Sequence, residues 1–200
     1  MRVGADYAPR ASSLSVARLT ATALIIAFIV AAPLLVFVVS DKYSSGEQAV
    51  SPVPAPPGYM SVQGVDFSLA VPNEWIQSQV NNHTFWTSPD RNSFIQIDTT
   101  AWPGSPNQQA FRAEADTKRR SDAFTDYRRK RIQDLTYQGQ LATDWEFTFT
   151  ATDKQRIHAQ ERFVRLGSRT YAIYFRTPDS AWPSSANHIN VLYQTFRASA

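Results

Sequence analysis

The chain has 200 residues, of which 43% are hydrophobic and 18% are charged, and it contains no cysteine. The lack of cysteine excludes a disulfide scaffold, a thiolate zinc site, a thiol nucleophile and a lipid-modified N-terminal cysteine. The net charge of +3 is too small to indicate nucleic-acid binding by itself. With 12 Phe, 8 Tyr and 5 Trp the chain has enough aromatic surface for a folded core, which argues against disorder.

An uncharged, almost wholly apolar run over residues 19–40 predicts one transmembrane helix. A helix of this length rises a little over 30 Å, roughly the thickness of a bilayer's hydrocarbon core, and Pro33 inside it is tolerated with a kink. Arginines dominate the charge of residues 1–18, so the positive-inside rule predicts a cytoplasmic N-terminus and a C-terminal domain outside the cell membrane. Secretion after signal-peptide cleavage is the alternative, but the apolar run exceeds the roughly 7–15 residues of a signal peptide, which favours an uncleaved anchor.

A proline-rich linker is predicted to follow the membrane span over residues 41–60. Pro52, Pro54, Pro56 and Pro57 favour extended polyproline II and oppose both helix and sheet. We expect this segment to hold a folded domain, residues 61–200, away from the membrane.

The pattern of residues 61–200 is typical of an α+β domain. Short strands with turn residues between them are predicted up to Thr100, and Ser105 is followed by proline at N1 and glutamine at N3, which predicts a helix over residues 106–120. The inner face of this helix is predicted at Ala110, Phe111, Ala113 and Ala115. Four strands follow, at residues 127–135, 141–151, 155–166 and 169–177, and then a helix at about 182–193. This order predicts a mostly antiparallel β-sheet with two main helices packed on it.

The register of one strand pair is predicted from its two faces. Asp144 and Glu146 share the polar face of their strand, and an odd-length loop would place one of them opposite Arg162. Such a cross-strand ion pair is worth about 0.2–1 kcal/mol. A two-residue turn in the next hairpin would place Ile173 opposite Arg162, and Glu161 falls in an apolar row without explanation.

Core and turn positions carry a family resemblance. The matching positions are Phe67, Val71, Pro72 and Trp75, then Gly139, Ala142, Asp144, Trp145, Glu146 and Phe147, then Arg169, Tyr171, Ile173 and Phe175, and finally Trp182 and Phe196. Over about residues 60–198 the sequence resembles the Mog1/PsbP-like domain. Within that group it is similar to extracytoplasmic domains of actinobacterial envelope proteins, including the sensor ends of some membrane serine/threonine kinases. The resemblance implies a binding or assembly module without catalytic apparatus, and no functional residue can be carried over because the matching positions look structural. This sequence departs from its relatives in having neither a lipobox cysteine nor a kinase domain.

The motifs predict no catalytic residue, no cofactor and no metal site. His83, His158 and His188 lack ligand spacing, and His158 is interpreted as a solvated surface residue. The sequence contains no G-x-S-x-G, no phosphate-binding glycine loop and neither H-R-D nor D-F-G, which argues against hydrolase and kinase activity. Asp144 and Glu146 could form a glycosidase pair, but their spacing beside an arginine favours a salt-bridged strand face.

Seven cations form the strongest charge feature of the domain, namely Lys118, Arg119, Arg120, Arg128, Arg129, Lys130 and Arg131. As structure, cations stabilise a helix C-terminus, and charges on both faces of an edge strand discourage edge-to-edge pairing. As function, they would form a patch for anionic lipid head groups or envelope polymers. Charge runs are usually solvated faces, so the structural interpretation is favoured.

Together these patterns predict a single-pass membrane protein whose extracytoplasmic domain is an interaction or accessory module and not an enzyme. Its partners are expected to be the membrane and an envelope protein or lipid, but not nucleic acid. The alternative is an envelope lipid or glycolipid carrier with aromatic side chains lining a pocket. An unrecognised hydrolase is the less favoured third class.

Overall fold

The computed structural model describes residues 53–100 and 103–199, and these form ten strands and two α-helices. The predicted cytoplasmic segment, the predicted span at residues 19–40 and most of the linker lie outside the described residues. Within the described ranges no helix is both long and apolar enough to cross a membrane.

The strands are β1 (Tyr59–Gly64), β2 (Phe67–Pro72), β3 (Ile76–Val80), β4 (His83–Thr87), β5 (Phe94–Asp98), β6 (Thr125–Tyr137), β7 (Gln140–Thr150), β8 (Arg156–Leu166), β9 (Arg169–Pro178) and β10 (Arg197–Ala198). The helices are α1 (Pro106–Arg119) and α2 (Ala186–Thr195), and short 3₁₀ turns at Asp179–Ala181 and Pro183–Ser185 precede α2.

Two antiparallel sheets organise the fold. The large sheet has the strand order β3-β4-β5-β9-β8-β7-β6, and the small sheet has the order β1-β2-β10. The predicted α+β class, mostly antiparallel with two main helices, is confirmed. The sequence pattern missed β1, which lies at the end of the proline-rich segment and is a strand because it pairs along its whole length with β2.

Helix α1 begins as its sequence predicts. The Gln108 backbone N–H donates to Ser105 Oγ at 3.3 Å, and the Ser105 N–H donates to Gln108 Oε1 at 3.0 Å, which is a complete capping box. The predicted inner face is only partly right, because Ala110 and Ala113 are buried while Phe111 and Ala115 are exposed. The buried positions repeat at the three- and four-residue spacing of one helix face, and Phe111 and Ala115 lie off that face.

Apolar side chains pack on both faces of the large sheet. On the face covered by α1, Trp145 and Phe147 of β7 stack with their ring centres 4.0 Å apart. On the opposite face, Trp86, Ile173 and Phe175 pack under the small sheet and α2. Two cores therefore lie back to back, separated by one layer of strands.

The predicted registers are confirmed. Five residues, 151–155, connect β7 to β8, and this odd number places Asp144 opposite Arg162. The two-residue turn at Gly167 and Ser168 places Ile173 opposite Arg162 on the other side.

Candidate functional site

Strand β6 carries four of the seven predicted cations and is an outer strand of the large sheet, and among the described residues its one pairing partner is β7. Its register with β7 is broken twice, between Thr125 and Arg128 and between Arg129 and Arg131. Bulges and charged side chains both discourage the pairing of a sheet edge with another chain. The interpretation of the basic cluster as protection of a sheet edge requires β6 to be an edge strand, and it is one.

Acids of α1 pair with two cations of the same helix and with one cation of β6. The buried carboxylate of Glu114 lies 3.2 Å from both Lys118 Nζ and Arg129 Nη1, and Tyr127 donates a hydrogen bond to it at 2.8 Å. Arg119 pairs with Asp116 one turn earlier in the same helix. This part of the cluster is a set of local ion pairs.

The remaining cations are distributed differently. Strand alternation places Arg128 and Arg131 on the face of β6 opposite α1, where Arg131 Nε lies 2.9 Å from Glu146 Oε2. The guanidinium of Arg120 lies 5.7 Å from the ring centre of Phe124. Within residues 53–100 and 103–199, Arg128 and Lys130 have no ionic partner. The seven cations are therefore distributed over the C-terminal end of α1 and both faces of β6.

The polar face of β7 and β8 holds a buried charge network centred on Asp144. Arg162 donates to both Asp144 oxygens, from Nε at 2.7 Å and from Nη2 at 2.9 Å, and Gln160 donates a third hydrogen bond at 3.0 Å. The guanidinium also lies 3.8 Å from the ring centre of Tyr193 and 4.6 Å from that of Tyr137. Only 7% of Asp144 and 8% of Arg162 is exposed, so this pair is buried and not a surface ion pair.

The expectation that His158 is a solvated surface residue is wrong. The residue is 6% exposed, and its ring stacks on Trp182 with the ring centres 3.7 Å apart, because the 3₁₀ turns before α2 carry the tryptophan across it. Nδ1 lies 2.9 Å from Asp179 and Nε2 lies 2.9 Å from Glu146. Both ring nitrogens therefore face carboxylate oxygens.

This arrangement holds side chains in place and leaves little for catalysis. Asp144 is occupied by Arg162 and Gln160, and Glu146 by Arg131 and His158, so neither acid is free to serve as a glycosidase acid or nucleophile. The two carboxylates that bind His158 lie at opposite sides of its ring and cannot converge on one ion. In the described part of the chain, no group of three or more acids or histidines could hold a metal.

Glu161, which the sequence left unexplained, is buried in the core beneath α1. It is 1% exposed and lies between Trp145 of β7 and Tyr174 of β9. Burial raises the pKa of its carboxyl well above the usual value, and the negative charge of Asp98 raises it further. Glu161 is therefore a core acid that favours its neutral form.

Two hollows in the described residues are open and small. One, of about 280 Å³, is lined by Gly58, Pro72, Asn73, Glu74, Trp75 and Pro89. The other, of about 220 Å³, is lined by Val65, Phe67, Gln79, Asn82, Thr84, Thr99 and Arg169. Neither is a deep apolar cavity of the kind that encloses a lipid chain.

Comparisons with known proteins agree with this geometry. A family model described as the serine/threonine kinase C-terminal domain matches residues 61–198. No curated protein matches the chain. The solution structure of cyanobacterial PsbP (CyanoP) from Synechocystis sp. PCC 6803 superposes with a TM-score of 0.59 at 12% identity, over 78% of this chain and 98% of that one.

Two crystal structures with lower scores are also similar. LpqN, involved in cell envelope biogenesis of Mycobacterium tuberculosis, gives a TM-score of 0.46 at 10% identity, over 76% of this chain and 88% of that one. PA94 from Pseudomonas aeruginosa, a protein of unknown function described as a putative regulator, gives 0.46 at 12% identity, over 66% of this chain and 91% of that one.

The superposition on CyanoP confirms the PsbP-like fold that the sequence resemblance implies. The family model covers about two thirds of the 200 residues and includes both helices and all the strands except the first two residues of β1. The chain belongs to the serine/threonine kinase C-terminal domain family.

Proposed function

We propose that this chain is a membrane-anchored accessory module whose folded domain lies outside the membrane and acts by binding other envelope components, not by catalysis. One observation carries the proposal. The polar side chains best suited to chemistry already have partners within a covered sheet face: Asp144 binds Arg162 and Gln160, and Glu146 binds Arg131 and His158. The surfaces left for function are the outer edges and loops of the sheets.

The placement outside the membrane rests on the sequence. Residues 19–40 are long and apolar enough to span a bilayer, and the arginines before them favour a cytoplasmic N-terminus. The matched family is named for a kinase C-terminal domain, whereas these 200 residues contain neither an H-R-D nor a D-F-G motif. We infer that the family domain here follows a membrane span and a linker.

A lipid or glycolipid carrier is less well supported. Such a carrier needs an enclosed apolar cavity. In the described residues side chains pack against both faces of the large sheet, and the two hollows described above are open. The aromatic residues that would line a pocket are used to build the two cores.

Protease added to intact cells tests the membrane placement. With an epitope tag at each end of the full chain, we expect the C-terminal tag to be lost and the N-terminal tag to survive on a fragment of about residues 1–40. An intact cytoplasmic marker protein is the control for cell integrity. Full protection of the C-terminal tag, or recovery of the domain in the medium, would contradict the proposed anchor.

Vesicle co-sedimentation tests whether the basic cluster binds anionic lipid. Every described element lies between residues 59 and 198, so a fragment of residues 53–200 is expected to fold alone. We expect it to bind anionic vesicles weakly at low salt and not at high salt. Replacing Arg128 and Lys130 with glutamine removes two unpaired charges and should weaken low-salt binding by about tenfold or more, at about 1 kcal/mol for each charge less screening.

In the matched control, glutamine replaces Arg129 and Arg131, whose charges are already paired with Glu114 and Glu146. We expect this control to change vesicle binding less than the Arg128/Lys130 variant. Since the cluster also protects the β6 edge, both variants should aggregate more than the unaltered fragment. Strong vesicle binding that survives high salt would refute the edge-protection interpretation.

A further inference from the structure

The two outer strands of the large sheet differ in how they meet solvent. Strand β6 is bulged and carries Arg128–Arg131, but β3 at the opposite edge has no charge, no proline and an unbroken register with β4. All five residues of β3 are exposed, including Ile76 at 61% and Val80 at 47%. Natural sheets usually protect such an edge, so a bare one is a candidate pairing surface.

The hairpin that joins β3 to β4 determines which backbone groups of β3 point toward β4 and which point outward. Asn81 and Asn82 form a two-residue turn between Val80 and His83, and the residues that flank such a turn are a hydrogen-bonded pair. Alternation then directs the backbone groups of Ser78 and Ile76 toward β4 as well. The N–H and C=O groups of Gln77 and Gln79 point to the outer side, where no strand of the described residues lies.

We propose that β3 pairs antiparallel with β3 of a second copy of this chain, about a two-fold axis at Ser78. The sequence Ile-Gln-Ser-Gln-Val reads nearly the same in both directions. In this register Gln77 faces Gln79 of the second copy, so the outward backbone groups of both strands meet in four hydrogen bonds. The exposed Ile76 then lies opposite the second copy's Val80, which buries both apolar side chains.

Neighbouring registers are poorer. A one-residue shift would place Gln77 and Gln79 opposite residues whose backbone groups point toward their own β4. The outward N–H and C=O groups would then find no partners, because hydrogen-bonded pairs alternate along antiparallel strands. A two-residue shift restores the phase but moves Ile76 and Val80 off each other. A closed two-fold pairing also leaves no free β3 edge, so it does not propagate into fibres.

The same reasoning favours a second copy over an unrelated strand. An unrelated chain would need its own complementary sequence, whereas β3 is complementary to itself in hydrogen-bonding phase, apolar positions and lack of charge. Four hydrogen bonds and two apolar pairs form a weak interface, so the test must trap it covalently.

Cysteine crosslinking of the full chain tests this register, since the chain has no native cysteine. On the two-fold axis, Ser78→Cys places two Cα atoms about 4.5 Å apart, within the disulfide range of about 4.4–6.8 Å. The matched control Val80→Cys lies on the same exposed strand, but its two copies are separated by roughly 13 Å along the strands. The double variant Ile76→Cys/Val80→Cys brings each cysteine opposite its partner.

The readout is the disulfide-linked dimer after mild oxidation of the full chain in isolated membranes or detergent extract. We expect at least a fivefold higher dimer yield from Ser78→Cys than from Val80→Cys, and recovery of the dimer in the double variant. Equal yields from the two single variants, no dimer from Ser78→Cys, or a disulfide to a different protein alone would overturn the proposal. Because these residues are exposed, misfolding does not mask the result. The yield of the disulfide-linked dimer also does not depend on the side of the membrane on which the domain lies.

Discussion

Replacing Arg162 with methionine is expected to lower the free energy of unfolding of the 53–200 fragment by about 3–5 kcal/mol. The substitution leaves the Asp144 carboxylate buried under α2 without the two hydrogen bonds from the guanidinium. It also removes the cation that lies over the ring of Tyr193. Urea unfolding followed by tryptophan fluorescence measures the loss.

Two controls separate this effect from the loss of any arginine. Arg119→Met removes an exposed cation whose partner is Asp116, and it should cost less than about 1 kcal/mol. The double variant Asp144→Leu/Arg162→Met removes both buried charges and should recover much of the stability, because the uncompensated charge is gone. If Arg162→Met costs no more than Arg119→Met, the pair is not buried as described.

Replacing Glu161 with glutamine is expected to stabilise the fragment at neutral and alkaline pH but not near pH 4. Burial raises the folded-state pKa of Glu161 above the 4.5 of an exposed glutamate. Its neutral form therefore supports the fold fully below about pH 4.5, and this contribution is lost as the pH rises toward the folded pKa. Over that window the advantage of the glutamine variant should grow by up to about 1.4 kcal/mol per pH unit.

Urea unfolding of both proteins between pH 4 and pH 8 measures this difference. Glu74→Gln, which replaces an exposed glutamate, is the matched control for the loss of a carboxyl group outside the core. A difference between Glu161→Gln and the parent that stays constant with pH would contradict the assignment of Glu161 as a neutral core acid.

The features that could be predicted from the sequence are those that depend on adjacent residues or on the alternation of strand faces. The start of α1 is encoded in four adjacent residues from Ser105 to Gln108, because capping is a short-range interaction. The pairing of Asp144 with Arg162 follows from the parity of one loop, because a strand alternates its faces with every residue. Neither inference needs knowledge of the distant parts of the chain.

The misses depend on contacts between distant residues. Strand β1 forms only because β2 pairs with it, and the burial of His158 depends on Trp182, 24 positions away in the sequence. The basic cluster consists of two short runs in the sequence, and strand alternation together with the bulge near Lys130 sends neighbouring side chains of the second run to different faces of β6. The apolar row that contains Glu161 indicates the buried face of its strand, but the local sequence does not show which distant residues surround the carboxyl group. The sequence offered one signal that His158 is buried, namely the aromatic residue Trp182 in the connection between β9 and α2.

Site-specific photo-crosslinking in living cells, followed by mass spectrometry, tests most directly the claim that the domain acts by binding at its edges. A photoreactive amino acid is placed at Lys130 on β6, at Ser78 on β3 and, as a control away from both edges, at Arg112 on the exposed side of α1. Our account predicts a discrete adduct with another envelope protein at Lys130, this chain itself as the adduct at Ser78, and none above background at Arg112. Only lipid adducts, or no adduct from either edge, would contradict it.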